Sequence, residues 1–125
     1  MFSFVKLRDA DEVPNALPIS AIVEKKVISN AICIGVYSFS STHDFQQYAC
    51  KVLDEAFAVK GEYYMSCVFG SMLNNHVPVY GLEATEFVSV GTPLQVNQYL
   101  MSVLDPKQGT EYRRKLNLKF LYLRS

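Results

Sequence analysis

The segment from Ile22 to Phe39, IVEKKVISNAICIGVYSF, constrains the fold more than any other part of the chain. Its second half, from Ala31 to Phe39, is rich in β-branched and aromatic residues, which is typical of a buried β-strand rather than a helix. Gly35 lies inside that strand, where a glycine usually marks a bulge or a close approach of backbone or ligand. The charged Glu24-Lys25-Lys26 triplet precedes the strand, so a polar ligand could be held here against an apolar wall.

Three helices are predicted after this strand. Apolar residues recur at i, i+3, i+4 and i+7 from Phe45 to Phe57 and again from Met65 to Leu73, which indicates two amphipathic helices. In the third helix Thr92 is a natural N-cap, Pro93 occupies the first helical position, and Gln95 at N3 can complete a capping box. We expect this helix to bury the apolar residues Val96, Tyr99, Leu100, Val103 and Leu104.

Short extended segments alternate with these helices. The pattern predicts strands over residues 2–7, 19–23, 77–82, 85–90 and 112–123. Because Pro14 and Pro18 restrict their neighbours and lack a backbone donor, residues 13–18 are expected to be irregular. Strands alternating with helices at these spacings indicate an α/β domain with a mixed sheet.

The charge is balanced overall but unevenly distributed. The 125 residues contain 12 basic and 12 acidic side chains, and this net charge of zero argues against a general nucleic-acid binder. Residues 105–125 hold six Lys or Arg and two acidic residues, a net of +4, so residues 1–104 carry −4. This basic tail is expected to lie on the acidic body of the chain or on a neighbouring copy.

Neither a membrane span nor a secretory signal is visible in the sequence. No apolar run approaches the ~18–20 residues that a spanning helix needs, and the first residues lack a basic region followed by an apolar stretch. Cys33, Cys50 and Cys67 are odd in number and lie in apolar patterns, which favours buried thiols in a reducing compartment. We therefore expect a cytoplasmic protein.

Several motifs occur in an order that resembles a known family. Glu24-Lys25 is followed by Ser29-Asn30 and by Gly35-Val36-Tyr37, and the segments GEYYMSCV, VPVYGLEA and EFVSVGTPLQVNQYL come after them. Over about residues 2–104 this order resembles the C-terminal, sugar-phosphate-binding half of the sugar-nucleotide pyrophosphorylases, which are sugar-1-phosphate nucleotidyltransferases.

The resemblance implies a partial Rossmann-like, three-layer α/β nucleotidyltransferase fold with a mixed sheet and flanking helices. Residues 1–104 would form the half domain, and residues 105–125 would form a basic tail, a strand used for packing or dimerisation. It also implies that Glu24 accepts hydrogen bonds from sugar hydroxyls and that Lys25 neutralises the phosphate. Cys33 and Gly35 would line the substrate pocket, and for Tyr63-Tyr64 both a ligand role and a packing role stay open.

Two departures from the family pattern limit the predicted activity. Ser89 stands where many members carry an aspartate that binds the catalytic Mg²⁺, and the Gly-rich phosphate loop of the N-terminal half is missing. We therefore assign no catalytic or metal-binding residue and expect Mg²⁺ only if another nucleotide-binding half completes the site. The alternative is a non-catalytic assembly or regulatory module that retains only the fold. A homodimer is expected in either case.

Overall fold

The computed structural model of the chain describes residues 2–9, 15–105 and 119–125. Within these ranges it contains five strands and three helices. In chain order they are β1 (Ser3–Leu7), β2 (Leu17–Glu24), β3 (Ala31–Ser38), α1 (Thr42–Asp54), α2 (Met65–Asn74), β4 (Tyr80–Glu83), α3 (Pro93–Leu104) and β5 (Lys119–Arg124). None of the described helices has the length and apolar character that a bilayer crossing requires.

The strands form a closed barrel in the order β1-β2-β4-β5-β3. β3 and β5 run parallel, and the other four neighbouring pairs are antiparallel. β5 completes the ring because it pairs with β3 on one side, with Lys119 opposite Ala31, and with β4 on the other, with Tyr122 opposite Leu82. The last described strand therefore lies between two strands of its own chain.

The expected partial Rossmann-like, three-layer fold with flanking helices is wrong. The sheet is mixed, as predicted, but it is closed rather than open. A small barrel fills its interior with its own side chains, so it does not need a layer of helices on each face. Val5, Leu121 and Leu123 are fully buried in this core. Closure depends on pairing between β3 and β5, which lie at distant positions in the chain and leave no mark on local periodicity.

Both predicted amphipathic helices are present as α1 and α2, but α1 ends at Asp54 and does not reach the expected Phe57. Ser41 caps α1, and its hydroxyl accepts a hydrogen bond from the Asp44 amide at 3.3 Å. α2 packs against β2, and α1 packs against α2. Phe69 and Met72 of α2 are fully buried and extend the core of the barrel outward.

Some expected strand boundaries were right and others were wrong. Gly35 has a φ of +84°, and the β3–β5 register shifts between Cys33 and Tyr37, so the predicted irregularity at the glycine is confirmed. Pro18 belongs to β2, where it pairs with Tyr80, although residues 13–18 were expected to be irregular. Its carbonyl still accepts a hydrogen bond from the Arg8 amide at 2.8 Å. Residues 85–90 do not form the predicted strand.

α3 begins as predicted but is not buried. Thr92 caps it, its hydroxyl accepting a hydrogen bond from the Gln95 amide at 3.2 Å, and Pro93 is the first helical residue. No residue of α3 is buried, and Leu104 is 79% exposed. The helix makes no extensive contact with another described helix or strand. The expectation that it buries its apolar residues is therefore wrong for the described part of the chain.

The last predicted strand falls only partly within the described part of the chain. The predicted strand over residues 112–123 is confirmed for residues 119–123, and residues 112–118 lie outside the described part.

All three cysteines are free thiols, but only Cys33 is buried; Cys67 is half-buried and Cys50 is exposed. The interpretation of Cys50 as a buried residue was wrong because it lies on the outward face of α1.

Candidate functional site

Glu24, the last residue of β2, is fixed by two buried hydroxyls. The β1–β2 register places Ser3 directly opposite it, and the Ser3 hydroxyl donates to Glu24 Oε2 at 2.5 Å. Ser66, in the first turn of α2, donates to the same oxygen at 2.5 Å. Ser3 and Ser66 are 7% and 3% exposed. Because hydrogen bonds to a carboxylate are strong, these two contacts hold the Glu24 side chain in one orientation.

The second carboxylate oxygen of Glu24, Oε1, accepts no hydrogen bond from any residue that the structure describes. The side chain borders an open cleft of about 430 Å³, which we name the Glu24 cleft. Its lining combines Glu24 with aromatic and small residues, chiefly Phe2, Cys33, Gly35, Tyr37, Tyr63 and Tyr64. Apolar walls with a few fixed polar groups are typical of small-molecule sites.

Lys25 is directed toward the segment between α1 and α2. Its Nζ donates to the Tyr64 hydroxyl and lies 3.5 Å from Glu62 Oε2, and the Tyr64 hydroxyl donates to Glu62. The ammonium also lies 4.4 Å from the centre of the Tyr64 ring. We name this set the Lys25–Tyr64–Glu62 triad. It lies at the rim of the Glu24 cleft, because Tyr64 belongs to both.

The triad favours the charged forms of both its ionisable ends. The hydrogen bond with Tyr64, together with the charges of Tyr64 and Glu62, raises the pKa of Lys25 despite some desolvation. The hydrogen bond from Tyr64 and the charge of Lys25 lower the pKa of Glu62. Lys25 is therefore a firmly protonated cation at neutral pH. Its backbone has a φ of +57°, a left-handed conformation that is uncommon outside glycine and that turns the chain at the end of β2.

Cys33 and Gly35 contribute differently to the cleft. Burial raises the pKa of the Cys33 thiol, so the side chain is a neutral packing group at physiological pH and not a nucleophile. Burial also raises the pKa of Tyr37, whose hydroxyl lies beside the thiol and whose ring stacks on Phe69 with centroids 5.3 Å apart. Gly35 is exposed and leaves open space where a side chain would stand. It therefore keeps one side of the cleft open.

The structure brings together three of the four residues that the sequence predicts to bind substrate. Glu24, Cys33 and Gly35 border the same cleft, while Lys25 reaches its rim through Tyr64. Sequence reasoning missed Ser3 and Ser66, the two residues that orient Glu24. Serine is common in loops and strands alike, and only the β1–β2 register and the packing of α2 place these two hydroxyls beside the carboxylate.

The site does not fit Mg²⁺. The described residues contain no group of three or more His, Cys, Asp or Glu side chains arranged to hold a metal ion. Glu24 Oε2 is taken by two serine hydroxyls, and Glu62 is taken by Lys25 and Tyr64. Ser89 lies in the segment before α3 and is not part of the Glu24 cleft. A hard cation that requires several free oxygen ligands therefore finds too few here.

Comparison with known proteins identifies no relative. No protein-family model matches the chain, and no curated protein and no solved structure matches it. The resemblance to the sugar-nucleotide pyrophosphorylases is therefore carried by the ordered motifs alone.

Proposed function

We propose that this chain is a binding domain for a sugar phosphate, equivalent in role to the sugar-phosphate-binding half of a sugar-1-phosphate nucleotidyltransferase and incomplete for catalysis alone. The observation that carries the proposal is the Glu24 carboxylate, which is fixed through Oε2 while Oε1 is left without a described partner at an aromatic cleft. The proposal rests on this site and not on the fold, because a closed barrel is not the nucleotidyltransferase architecture.

Glu24 is suited to select a polyhydroxylated ligand. A carboxylate oxygen accepts hydrogen bonds from two neighbouring hydroxyls, and a carboxylate that is already oriented loses little conformational freedom when it binds. The exposed ring of Tyr63 and the neighbouring ring of Tyr64 offer apolar surface to the carbon face of a sugar. A ligand with hydroxyls on one edge and an apolar face therefore matches this cleft.

Lys25 is the cation that would hold the phosphate. Its ion pair with Glu62 is exposed on the Glu62 side only, since the side chain of Lys25 is 21% exposed and that of Glu62 is 68% exposed. Exchanging Glu62 for a phosphate oxygen replaces one anionic partner of Lys25 with another and leaves the ammonium paired. A phosphate on the rim of the cleft would accept hydrogen bonds from Lys25 and from the Tyr64 hydroxyl. Glu62 would then rotate toward solvent, where it is already 68% exposed. This exchange gives Lys25 the role that the motif resemblance implies.

Nucleotidyl transfer would require a second component. The reaction joins an NTP to a sugar-1-phosphate and releases pyrophosphate, and it depends on neutralising the charge around the attacked phosphorus. Lys25 is the single cation of the Glu24 cleft and its rim among the described residues, and it is partnered by Glu62. A nucleotide-binding half on another chain would have to supply the remaining charge and any Mg²⁺.

A calorimetric titration of the purified chain with a panel of sugar-1-phosphates tests the proposal. We expect Glu24→Gln and Lys25→Ala each to weaken binding by at least tenfold, since each removes a charge-assisted hydrogen bond. Lys26→Ala is the matched control for Lys25, because Lys26 is exposed and adjacent in sequence. Glu83→Gln, at the exposed end of β4, is the control for Glu24.

Free sugars and inorganic phosphate complete the titration and separate the two roles. We expect Lys25→Ala to weaken binding of phosphate-bearing ligands and to leave the weaker binding of the free sugar unchanged. Absence of binding across the panel, or equal affinity in Glu24→Gln and wild type, would refute the proposal. A non-catalytic assembly module would then be the better-supported function. The observation that favours it is the exposed apolar surface of α3, which no described residue covers.

A further inference from the structure

α3 presents a large apolar surface that nothing in the described part of the chain covers. Seven large apolar residues of the helix are between 40% and 79% exposed, namely Leu94, Val96, Tyr99, Leu100, Met101, Val103 and Leu104. At 3.6 residues per turn, Gln95, Gln98 and Ser102 fall on one narrow side of the helix, and Asn97 is the one polar residue of α3 that lies among the apolar ones. Most of the circumference is therefore apolar. A helix with this composition is normally buried.

We propose that α3 is the homodimerisation helix of this protein and packs against α3 of a second copy around a two-fold axis. In such a contact the same surface meets itself, so it must tolerate its own charges. α3 satisfies this condition, because residues 93–104 contain no charged side chain. Two copies can therefore bring these helices together without repulsion and without burying an ion.

The overall charge of the chain also permits self-association. The 125 residues carry a net charge of zero, so two copies meet without net electrostatic repulsion. A net charge near zero promotes association. A neutral helix on a chain without net charge therefore favours a second copy as the partner.

The available area is that of a small dimer interface. The exposed parts of the seven residues amount to roughly 700 Å² per copy, against ~800 Å² per partner in a standard interface. The five that share one side of the helix supply about 500 Å² of it, namely Val96, Tyr99, Leu100, Val103 and Leu104. An apolar patch of this size is at the upper end of what monomeric proteins leave open, about 300–600 Å² at most.

Sedimentation velocity of the full chain across a wide range of protein concentration tests the proposal. We expect a dimer for the wild type and a monomer for Leu100→Glu, which puts a charge at the centre of the apolar side. Gln98→Glu adds the same charge on the polar side of the same helix and is expected to stay dimeric. Far-ultraviolet circular dichroism checks that both variants are folded, which we expect because α3 packs little against the barrel.

Three results would overturn the proposal. They are a wild-type chain that remains monomeric throughout, a folded Leu100→Glu variant that remains dimeric, and a loss of dimer that is equal in Leu100→Glu and Gln98→Glu. The first would mean that another molecule covers α3 or that none does, and the second would place the interface elsewhere. No residue of α3 lines the Glu24 cleft, so this proposal and the sugar-phosphate proposal can fail separately.

Discussion

α2 and α3 are two short, largely apolar helices of the same chain with opposite surroundings. α2 spans ten residues and buries five of them, including Phe69 and Met72, whereas α3 spans twelve and buries none. Neither helix has an acidic residue in its first turn or a basic residue in its last. The burial of α2 and the exposure of α3 therefore cannot be explained by charges at the helix ends or by apolar content alone.

The difference lies in how closely each helix can approach the barrel. α2 places small residues against β2: Ser66 reaches Glu24, and a Cβ added at Gly70 would lie 3.8 Å from the Ile22 side chain. α3 contains neither glycine nor alanine, and its large side chains point outward on nearly every side. Ser66 and Gly70 allow α2 to approach β2 closely. The contrast teaches that apolar content by itself does not place a helix in the core, and that the small residues of α2 lie where the helix meets the sheet.

The largest effect should separate Phe69→Ala from Leu100→Ala. Phe69 is fully buried and packs against the rings of Tyr37 and Phe39, at centroid distances of 5.3 and 4.8 Å. Its truncation should lower the free energy of unfolding by about 3–5 kcal/mol. Leu100→Ala should lower it by less than ~0.5 kcal/mol at concentrations where the chain is monomeric, because the side chain is half-exposed.

Urea unfolding monitored by circular dichroism provides both values. Equal losses for Phe69→Ala and Leu100→Ala would contradict the contrast between the helices, since they would show that α3 supports the core. A dimer at the concentration used would raise the apparent contribution of Leu100. The measurement is therefore repeated on dilution, where that contribution should disappear.

Alkaline pH should destabilise the part of the core that α2 covers. Burial raises the pKa of Cys33 and of Tyr37, so both groups keep their protons longer in the folded chain than in the unfolded one. The free energy of unfolding therefore has its full value below the ordinary cysteine pKa of about 8.5. It decreases as the pH rises above that value, at first by on the order of 1 kcal/mol per pH unit.

Unfolding midpoints measured from pH 7 upward test this linkage. Cys33→Ala should make the first part of the decline shallower, because it removes the first of the two groups to titrate. Cys50→Ala is the matched control, because it removes an exposed thiol and leaves the buried Cys33 in place. A profile that stays flat to strongly alkaline pH would show that the two groups are not protected by folding.

Local signals in the sequence predicted the local parts of this fold. Thr92 and Pro93 identified the start of α3, and Gly35 identified the irregularity in β3, because caps and bulges are decided by a few neighbouring residues. Closure of the barrel was missed because β5 and β3 meet only in the tertiary structure. Pro18 was expected to lie outside a strand because proline lacks a backbone N–H donor. Its carbonyl oxygen nevertheless accepts a hydrogen bond from the Arg8 amide.

The candidate site was predictable in part for the same reason. Glu24, Lys25 and Gly35 stand out as charged residues and a glycine beside an apolar strand. Ser3 and Ser66 do not, although they orient Glu24, because their role comes from strand register and from the packing of α2. The exposure of α3 could not be predicted from the sequence either, since an amphipathic pattern shows that a surface needs a partner but not where the partner lies.

The caps of α1 and α3 should differ in their effect on overall stability. Ser41 and Thr92 each accept one hydrogen bond from a backbone amide, at 3.3 and 3.2 Å. Ser41→Ala should lower the free energy of unfolding by ~1 kcal/mol, because α1 packs on α2 and unfolds with the core. Thr92→Ala should leave it almost unchanged and instead speed amide hydrogen exchange within α3, which opens locally. Equal losses of stability in the two variants would contradict this.

The smallest effect, and the one with the opposite sign, is expected at Gly70. A Cβ there would make ordinary van der Waals contact with Ile22 at 3.8 Å, and alanine restricts the unfolded chain more than glycine does. Gly70→Ala should therefore raise the free energy of unfolding by about 0.4–1 kcal/mol, measured by thermal and urea unfolding. Ser102→Ala in α3 is the matched control, because it also improves helix propensity but should leave global unfolding unchanged. A loss of stability in Gly70→Ala would show that α2 needs a closer approach to β2 than an added methyl group allows.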